Sequence, residues 1–185
     1  NEGVSTKHSP EYTLLESYQA YADYEDVMRM VEGMVSSVCQ EVHGGHKVPW
    51  EEETIDFAPP WRRIGFREAI AEHSGIDFVQ FPDMLRLAAR MRESGIEVDP
   101  SKNWAHLVDQ LLSDFVEPKL RQPTFLVDYP LSMSPLAKTK PDQPRVVERF
   151  EAFAGGFEIA NAFTELNDPV EQRERFWQQL KDRLP

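Results

Sequence analysis

From residue 11 to residue 22 side chains alternate with period two, placing Tyr12, Leu14, Glu16 and Tyr18 on one face and Thr13, Leu15 and Ser17 on the other. That alternation predicts a strand carrying carboxylates. The period then changes to helical: Asp23 stands as a cap, Val27, Met30, Val31, Met34, Val35 and Val38 form a stripe, and Gly44-Gly45 is a stop. A helix to about Val42 with that stripe in the core is predicted. After a short strand at residues 54–57 and a turn at Pro59-Pro60, helices are predicted near residues 67–73, 82–93 and 103–116, with Pro82 in a first turn and Gly95 just past an end. The third carries Trp104, Leu107, Val108, Leu111, Leu112 and Phe115 on one side.

Strand character returns over residues 124–129, closed by Pro130, and Ser134-Pro135 begins a polar, Pro-rich loop to about Arg145. Two more strands, residues 147–154 and 157–163, flank Gly155-Gly156, a two-residue hairpin signal. Asp168 as cap, Pro169 at the first position and Glu171 as partner in a capping box open a last helix. The chain has no repeats. Strands gathered around a helical insert at about residues 66–118, without βαβ alternation, predict an α+β fold with an antiparallel sheet.

Composition agrees with a packed domain. The 185 residues are 41% hydrophobic and 11% aromatic, and a chain of this length buries roughly two-thirds of the surface its unfolded form exposes. No apolar run approaches about 20 residues and no leader pattern opens the chain, so a cytoplasmic protein without a membrane partner is expected. The single cysteine, Cys39, excludes an internal disulfide and is expected in the core. Net charge changes the picture more: at -12, with a pI near 4.9, this is not the footprint of a nucleic-acid-binding module. If the parent protein handles a nucleic acid, most of its phosphate-binding surface is expected outside these residues or in small patches such as Trp61-Arg62-Arg63. A start at Asn1 rather than Met leads us to expect an incomplete sequence.

The hairpin has a geometric consequence. With Ala154 opposite Phe157, Phe153 faces Glu158, and Glu151 lies one diagonal step away on the same face. Like charges there are unfavourable without a cation, which makes Glu151 and Glu158 candidate Mg²⁺ ligands, the alternative being two solvated glutamates on an edge. Glu16 with Tyr18, and Asn161 with Phe163 and Glu165, are two further sets in which polar groups sit among strand formers; a ligand ammonium would suit the carboxylates and Phe163 an aliphatic stem, the alternative being a solvated face. Asn161 shares a face with Glu158 only if a bulge near Ala160 intervenes. Of five histidines, His8 alone sits in a suggestive loop, beside Glu2, Lys7 and Glu11. There is no Gly-rich phosphate loop, nucleophile elbow or zinc spacing.

Asn1-Glu2-Gly3 followed by His8-Ser9-Pro10-Glu11-Tyr12-Thr13-Leu14-Leu15-Glu16 resembles the second half of motif 2 of class II synthetases, and Tyr18-Gln19-Ala20-Tyr21-Ala22-Asp23-Tyr24 is similar to its lysyl version. Gln122-Pro123-Thr124-Phe125, Tyr129-Pro130, Ser134-Pro135-Leu136-Ala137-Lys138, Arg149-Phe150-Glu151 and the run from Gly155 to Pro169 follow the lysyl-tRNA synthetase family in order and spacing. The resemblance spans nearly the whole chain. It implies part of a class II catalytic domain that activates lysine with ATP and loads it onto tRNA(Lys), with no protein nucleophile and, in the full-length parent, a homodimer. Glu2 would contact the adenine amino group, His8 the ATP phosphates, and Tyr12 would stack on the base. Glu151 and Glu158 would bind Mg²⁺; Glu16, Tyr18 and Glu165 would surround the lysine ammonium, Phe163 would lie along its methylenes, and Asn161 would reach its carboxylate. The motif 2 arginine, motif 1, the anticodon-binding domain and motif 3 are not among these residues, so the chain alone is expected to be inactive. Two alternatives remain: a paralogue lysylating a translation elongation factor, and a non-catalytic synthetase-like binding or regulatory protein.

Overall fold

The computed structural model describes residues 11–183, apart from the side chains of Asp182 and Arg183. Its centre is a five-stranded sheet in the order β3-β4-β6-β5, with β7 also on β6. Here β3 is Arg62–Gly65, β4 Thr124–Pro130, β5 Thr139–Lys140, β6 Gln143–Ala154 and β7 Phe157–Phe163. All pairings are antiparallel except β3 with β4. The α+β architecture stands, but with one parallel pair that the sequence reading lacked. A four-residue strand opening Arg62-Arg63 shows little period-two signal, and its partner lies some sixty residues on.

Alternation divides this sheet into two cores. Phe125, Phe150 and Ala152 point to one face, where α1 (Tyr24–His43) brings Tyr24, Met28 and Val31 against them and Trp61 stacks on Phe125 at 5.1 Å. Leu126, Tyr129, Val147 and Phe153 point to the other face, covered by helices α2 (Phe66–Ser74), α3 (Met84–Glu93) and α4 (Trp104–Leu111), which lie between β3 and β4. Leu107, Val108, Leu111 and Val116 are fully buried there, each stabilising the fold by about 1.5–3 kcal/mol relative to exposure.

Local signals explain the helix ends. Asp23 accepts from Glu25 N and Asp26 N, Asp26 returns a carboxylate to Asp23 N, and Gly44 closes α1 at φ 70°. In the predicted stripe Val31 is buried and Cys39 with it, whereas Met30, Met34 and Val38 are exposed, because Tyr24 and Met28 turn the buried side by about one residue. Pro82 lies before α3 rather than in its first turn, because Asp83 is the cap, its carboxylate taking the Arg86 N–H at 2.9 Å. Asn103 caps α4, which passes into a π-helical turn, Leu112–Val116, and a 3-10 turn, Glu117–Lys119. Asp168 receives the Val170 and Glu171 N–H groups to start α5 (Pro169–Arg183), while Glu171 pairs with Arg175 instead of completing the box.

The predicted strand over residues 11–22 is not formed: the segment is irregular and, up to Tyr21, exposed. Alternation alone does not make a strand; a ladder partner does, and no strand among the described residues pairs with it. Its end is nonetheless anchored, the Tyr24 N–H donating to Thr164 Oγ1 at 2.9 Å. A small hairpin, β1 (Lys47–Trp50) and β2 (Glu53–Asp56), stands apart from the main sheet; only its second strand was predicted. No described helix is long and apolar enough to cross a membrane.

Candidate functional site

The β6–β7 hairpin turns at Gly155 and Gly156, with φ 65° and 81°. Two successive positive φ values demand glycine at a two-residue turn. The turn is pinned from outside: Gly155 N donates to Arg121 O at 2.8 Å, Arg121 Nη1 donates to Gly155 O at 2.7 Å, and Arg121 Nη2 reaches Glu51 at 2.6 Å. A Cβ on Gly155 would come within 3.0 Å of Trp50 Nε1.

From this turn the register runs Ala154 with Phe157 and Phe153 with Glu158, as predicted, and then shifts: Ala152 pairs with Ala160, Glu151 with Asn161 and Arg149 with Phe163. Ile159 is therefore the extra residue of a bulge, beside the position the sequence reading required. Its effect is to put Glu158 on the same face as Asn161 and Phe163. Because directly paired residues share a face, Arg149, Glu151, Glu158, Asn161 and Phe163 all lie on the side of the helices α2 to α4. A second bulge brings in Tyr129. Asp128 sits at φ 67°, and across it the pairing of Val127 with Phe150 gives way to Tyr129 with Val147, which carries Tyr129 to the site face.

These side chains form one polar network. The buried Tyr129 hydroxyl donates to Glu151 Oε2 at 2.6 Å, and Arg149 Nη2 donates to Glu151 Oε1 at 2.5 Å. Arg149 also reaches Asn161 Oδ1 at 3.2 Å and Ser134 Oγ at 2.7 Å, and its guanidinium lies 4.6 Å from the Tyr129 ring centre. Burial raises the Glu151 pKa, while Arg149 and the Tyr129 hydroxyl pull it back down. Glu158 keeps contact with solvent, yet atoms crowding its carboxyl and the nearby Glu151 push its pKa up to about 7. Asp109 of α4 is also raised, first by burial and then by Glu117. Glu151, Glu158 and Asp109 thus all stay above the usual carboxylate range despite Arg149.

The other predicted site residues are placed differently. Glu165 follows β7 in an isolated bridge with Ala137 and is exposed. Tyr12, Glu16 and Tyr18 lie in the irregular, exposed segment and are not brought onto the sheet face. Glu2 and His8 fall outside the described residues. Arg149, Tyr129 and Ser134 were not read as site residues. Period two alone would have placed Arg149 beside Glu151; Tyr129 depends on the Asp128 bulge, for which the sequence carries no comparable signal.

A family model described as class II tRNA synthetases (D, K and N) matches residues 1–184. Curated relatives named lysine--tRNA ligase include one from Dehalococcoides mccartyi, 59% identical over 183 residues, or 99% of this chain. Others are from Chloroflexus aurantiacus, 51% identical over 98% of the chain, and Staphylococcus haemolyticus, 46% identical over 99%. In each case the chain spans 37% of the relative's length. With the family model running through every strand and helix that builds this face, the chain belongs to the class II tRNA synthetases of the D, K and N group.

Proposed function

We propose that the protein containing this chain is a lysine–tRNA ligase, which activates lysine with ATP and transfers the lysyl group to the 3′ end of tRNA(Lys), and that this chain is part of its catalytic domain with residues 66–118 as a helical insert. The observation that carries the reading is the convergence of Glu151, Glu158, Asn161 and Phe163 on one sheet face. It is supported by 59% identity to a lysine--tRNA ligase. Phe163 lines the lysine methylenes, Asn161 its carboxylate, and Glu165 its ammonium. Glu16 and Tyr18 complete the ammonium pocket in this proposal, with Tyr12, Glu2 and His8 on ATP; the bond from the Tyr24 N–H to Thr164 Oγ1 supports it by holding the end of their segment beside the end of β7.

The donor set fits a hard divalent cation: Glu151 and Glu158 offer oxygen only and are mutually unfavourable as they stand. Among the described residues no three His, Cys, Asp or Glu side chains group to hold an ion, and Mg²⁺ takes few protein carboxylates and fills its shell with phosphate and water. When bound, Mg²⁺ would supply charge neutralisation on the ATP phosphates. The reaction needs no nucleophile from the chain: the lysine carboxylate attacks the α-phosphorus, pyrophosphate leaves, and a tRNA hydroxyl then takes the lysyl group from the adenylate. The residues here position and screen. A homodimer in the cytoplasm completes the proposal.

Lysine-dependent ATP–pyrophosphate exchange and tRNA charging by the full-length gene product test it. In Glu165→Gln the lysine KM should rise roughly ten- to a hundredfold, the equivalent of a lost charge-assisted hydrogen bond of about 1.5–3 kcal/mol, with the ATP KM little changed. An equal rise in the ATP KM, or lysyl transfer to an elongation factor instead of tRNA, would overturn the assignment.

A further inference from the structure

Arg149 contacts four polar groups from three parts of the chain. Nε donates to Asn161 Oδ1 at 3.2 Å and Nη2 to Glu151 Oε1 at 2.5 Å, while Nη1 donates to Met133 O at 3.2 Å and Ser134 Oγ at 2.7 Å. Its side chain is only 16% exposed, and its plane is backed by the Tyr129 ring. Nε and Nη2 form one edge of a rigid planar fork. That edge spans Glu151 and Asn161, which are directly paired across β6 and β7. The opposite side is bolted to the loop after β4 by Met133 and the buried Ser134.

This arrangement decides which way the Asn161 amide points. A guanidinium Nε–H only donates, so the atom of Asn161 facing it must be the carbonyl oxygen. The amide NH₂ is then directed away from Arg149, on a residue that is exposed on the site face. An amide so held offers hydrogen-bond donors and withholds its acceptor. Such a group suits an acceptor such as a carboxylate oxygen. The same fork holds Glu151 Oε1, so the carboxylate proposed to face the metal and the amide proposed to face the amino acid are held in one geometry by one side chain.

We propose that Arg149 is a positioning residue that locks Asn161 as a donor towards the carboxylate of the amino-acid substrate, using Glu151 and Ser134 as its anchors. The proposal rests on the lysine–tRNA ligase reading, since that reading supplies the carboxylate. It assigns Arg149 no contact with substrate. Freed of Arg149, the Asn161 amide can rotate and present its oxygen, which repels a carboxylate and is indifferent to a hydroxymethyl group.

The test compares lysine with lysinol, in which the carboxylate is replaced by a hydroxymethyl group, as ligands of the full-length gene product in calorimetric binding. Arg149→Lys keeps the charge, but an ammonium cannot donate in parallel to Asn161 and Glu151. The preference for lysine over lysinol should fall about tenfold, the scale of one charge-assisted hydrogen bond, with lysinol affinity nearly unchanged. Asn161→Ala should lower the preference by a similar factor, and the double variant should lower it no further, because residues acting as a unit are non-additive. Ser134→Ala, which leaves the fork in place but removes a 2.7 Å anchor, should move the preference in the same direction by a few-fold and guards against misfolding at Arg149. Equal weakening of lysine and lysinol, additive single effects, or an unchanged preference in Ser134→Ala would each overturn the proposal. Failure of the unsubstituted protein to bind lysine would instead remove the functional reading itself, and the role of Arg149 with it.

Discussion

Strand β6 presents two opposite environments within a single residue step. Phe150 and Ala152 face α1 in an apolar cluster with Tyr24, Met28, Val31, Trp61 and Phe125, whereas Arg149 and Glu151 face the helices α2 to α4 in a charged network. The first face gains by removing apolar area from water, the second must keep every buried polar atom partnered. The polar network is confined to Arg149 and Glu151 of this strand, while Val147 and Phe153 on the same face remain in the apolar core. A substitution on one face should leave the other's role intact, and that separation can be attacked directly.

The largest effect is expected on the dry face. Phe150 is fully buried and meets Phe125 edge-on at 5.2 Å; Phe150→Ala should cost about 3–5 kcal/mol in guanidinium unfolding, the usual range for a buried phenylalanine. A loss below about 1 kcal/mol would mean that this face does not hold the fold. On the charged face Tyr129→Phe keeps the ring packed against Phe66 at 4.4 Å but leaves Glu151 Oε2 without its 2.6 Å donor. The expected cost is smaller, about 1–3 kcal/mol. It sharpens the comparison because shape is preserved and only hydrogen bonding changes; an unaltered unfolding midpoint would show that water replaces the hydroxyl without loss.

The two faces also differ in how far they were legible. The helix α1 with its Asp23 cap and Gly44 stop, the Gly155-Gly156 turn and the shared face of Glu151 and Glu158 all follow from interactions between residues close in sequence. So does the need for a bulge beside Ala160, since parity alone separates Glu158 from Asn161. What escaped depends on distant partners. Residues 11–22 have the period of a strand but no ladder within the described residues, β3 takes its place only by pairing with β4, and Tyr129 reaches the site through the left-handed Asp128. For the same reason the hairpin register from Gly155-Gly156 follows the expectation, whereas Tyr12, Glu16 and Tyr18 were assigned a strand they do not form.

The smallest effect expected is a difference in sign between two carboxylates as pH changes. Asp77 is gripped by Arg67 through Nε at 2.8 Å and Nη2 at 2.6 Å, and its pKa is lowered from 3.8 to about 2. A depressed carboxylate contributes stability that is present above its unfolded pKa and lost as pH falls through the folded one. Because Arg67 is 58% exposed, solvent screening limits the contribution to about 1 kcal/mol, and Asp77→Asn should show that deficit at neutral pH and lose it towards about pH 2. Glu158 works the other way. Its pKa is raised from 4.5 to about 7, so the folded state binds the extra proton in that window and stability declines as pH rises through it. Glu158→Gln cannot ionise, and its Tm relative to the unsubstituted protein should therefore climb between about pH 4.5 and 7 and level off above. If both variants shifted in the same direction across their windows, the crowding of carboxylates on the site face would not be the source of the Glu158 shift, and the contrast between an acid paired with arginine and an acid crowded by a second carboxylate would fail.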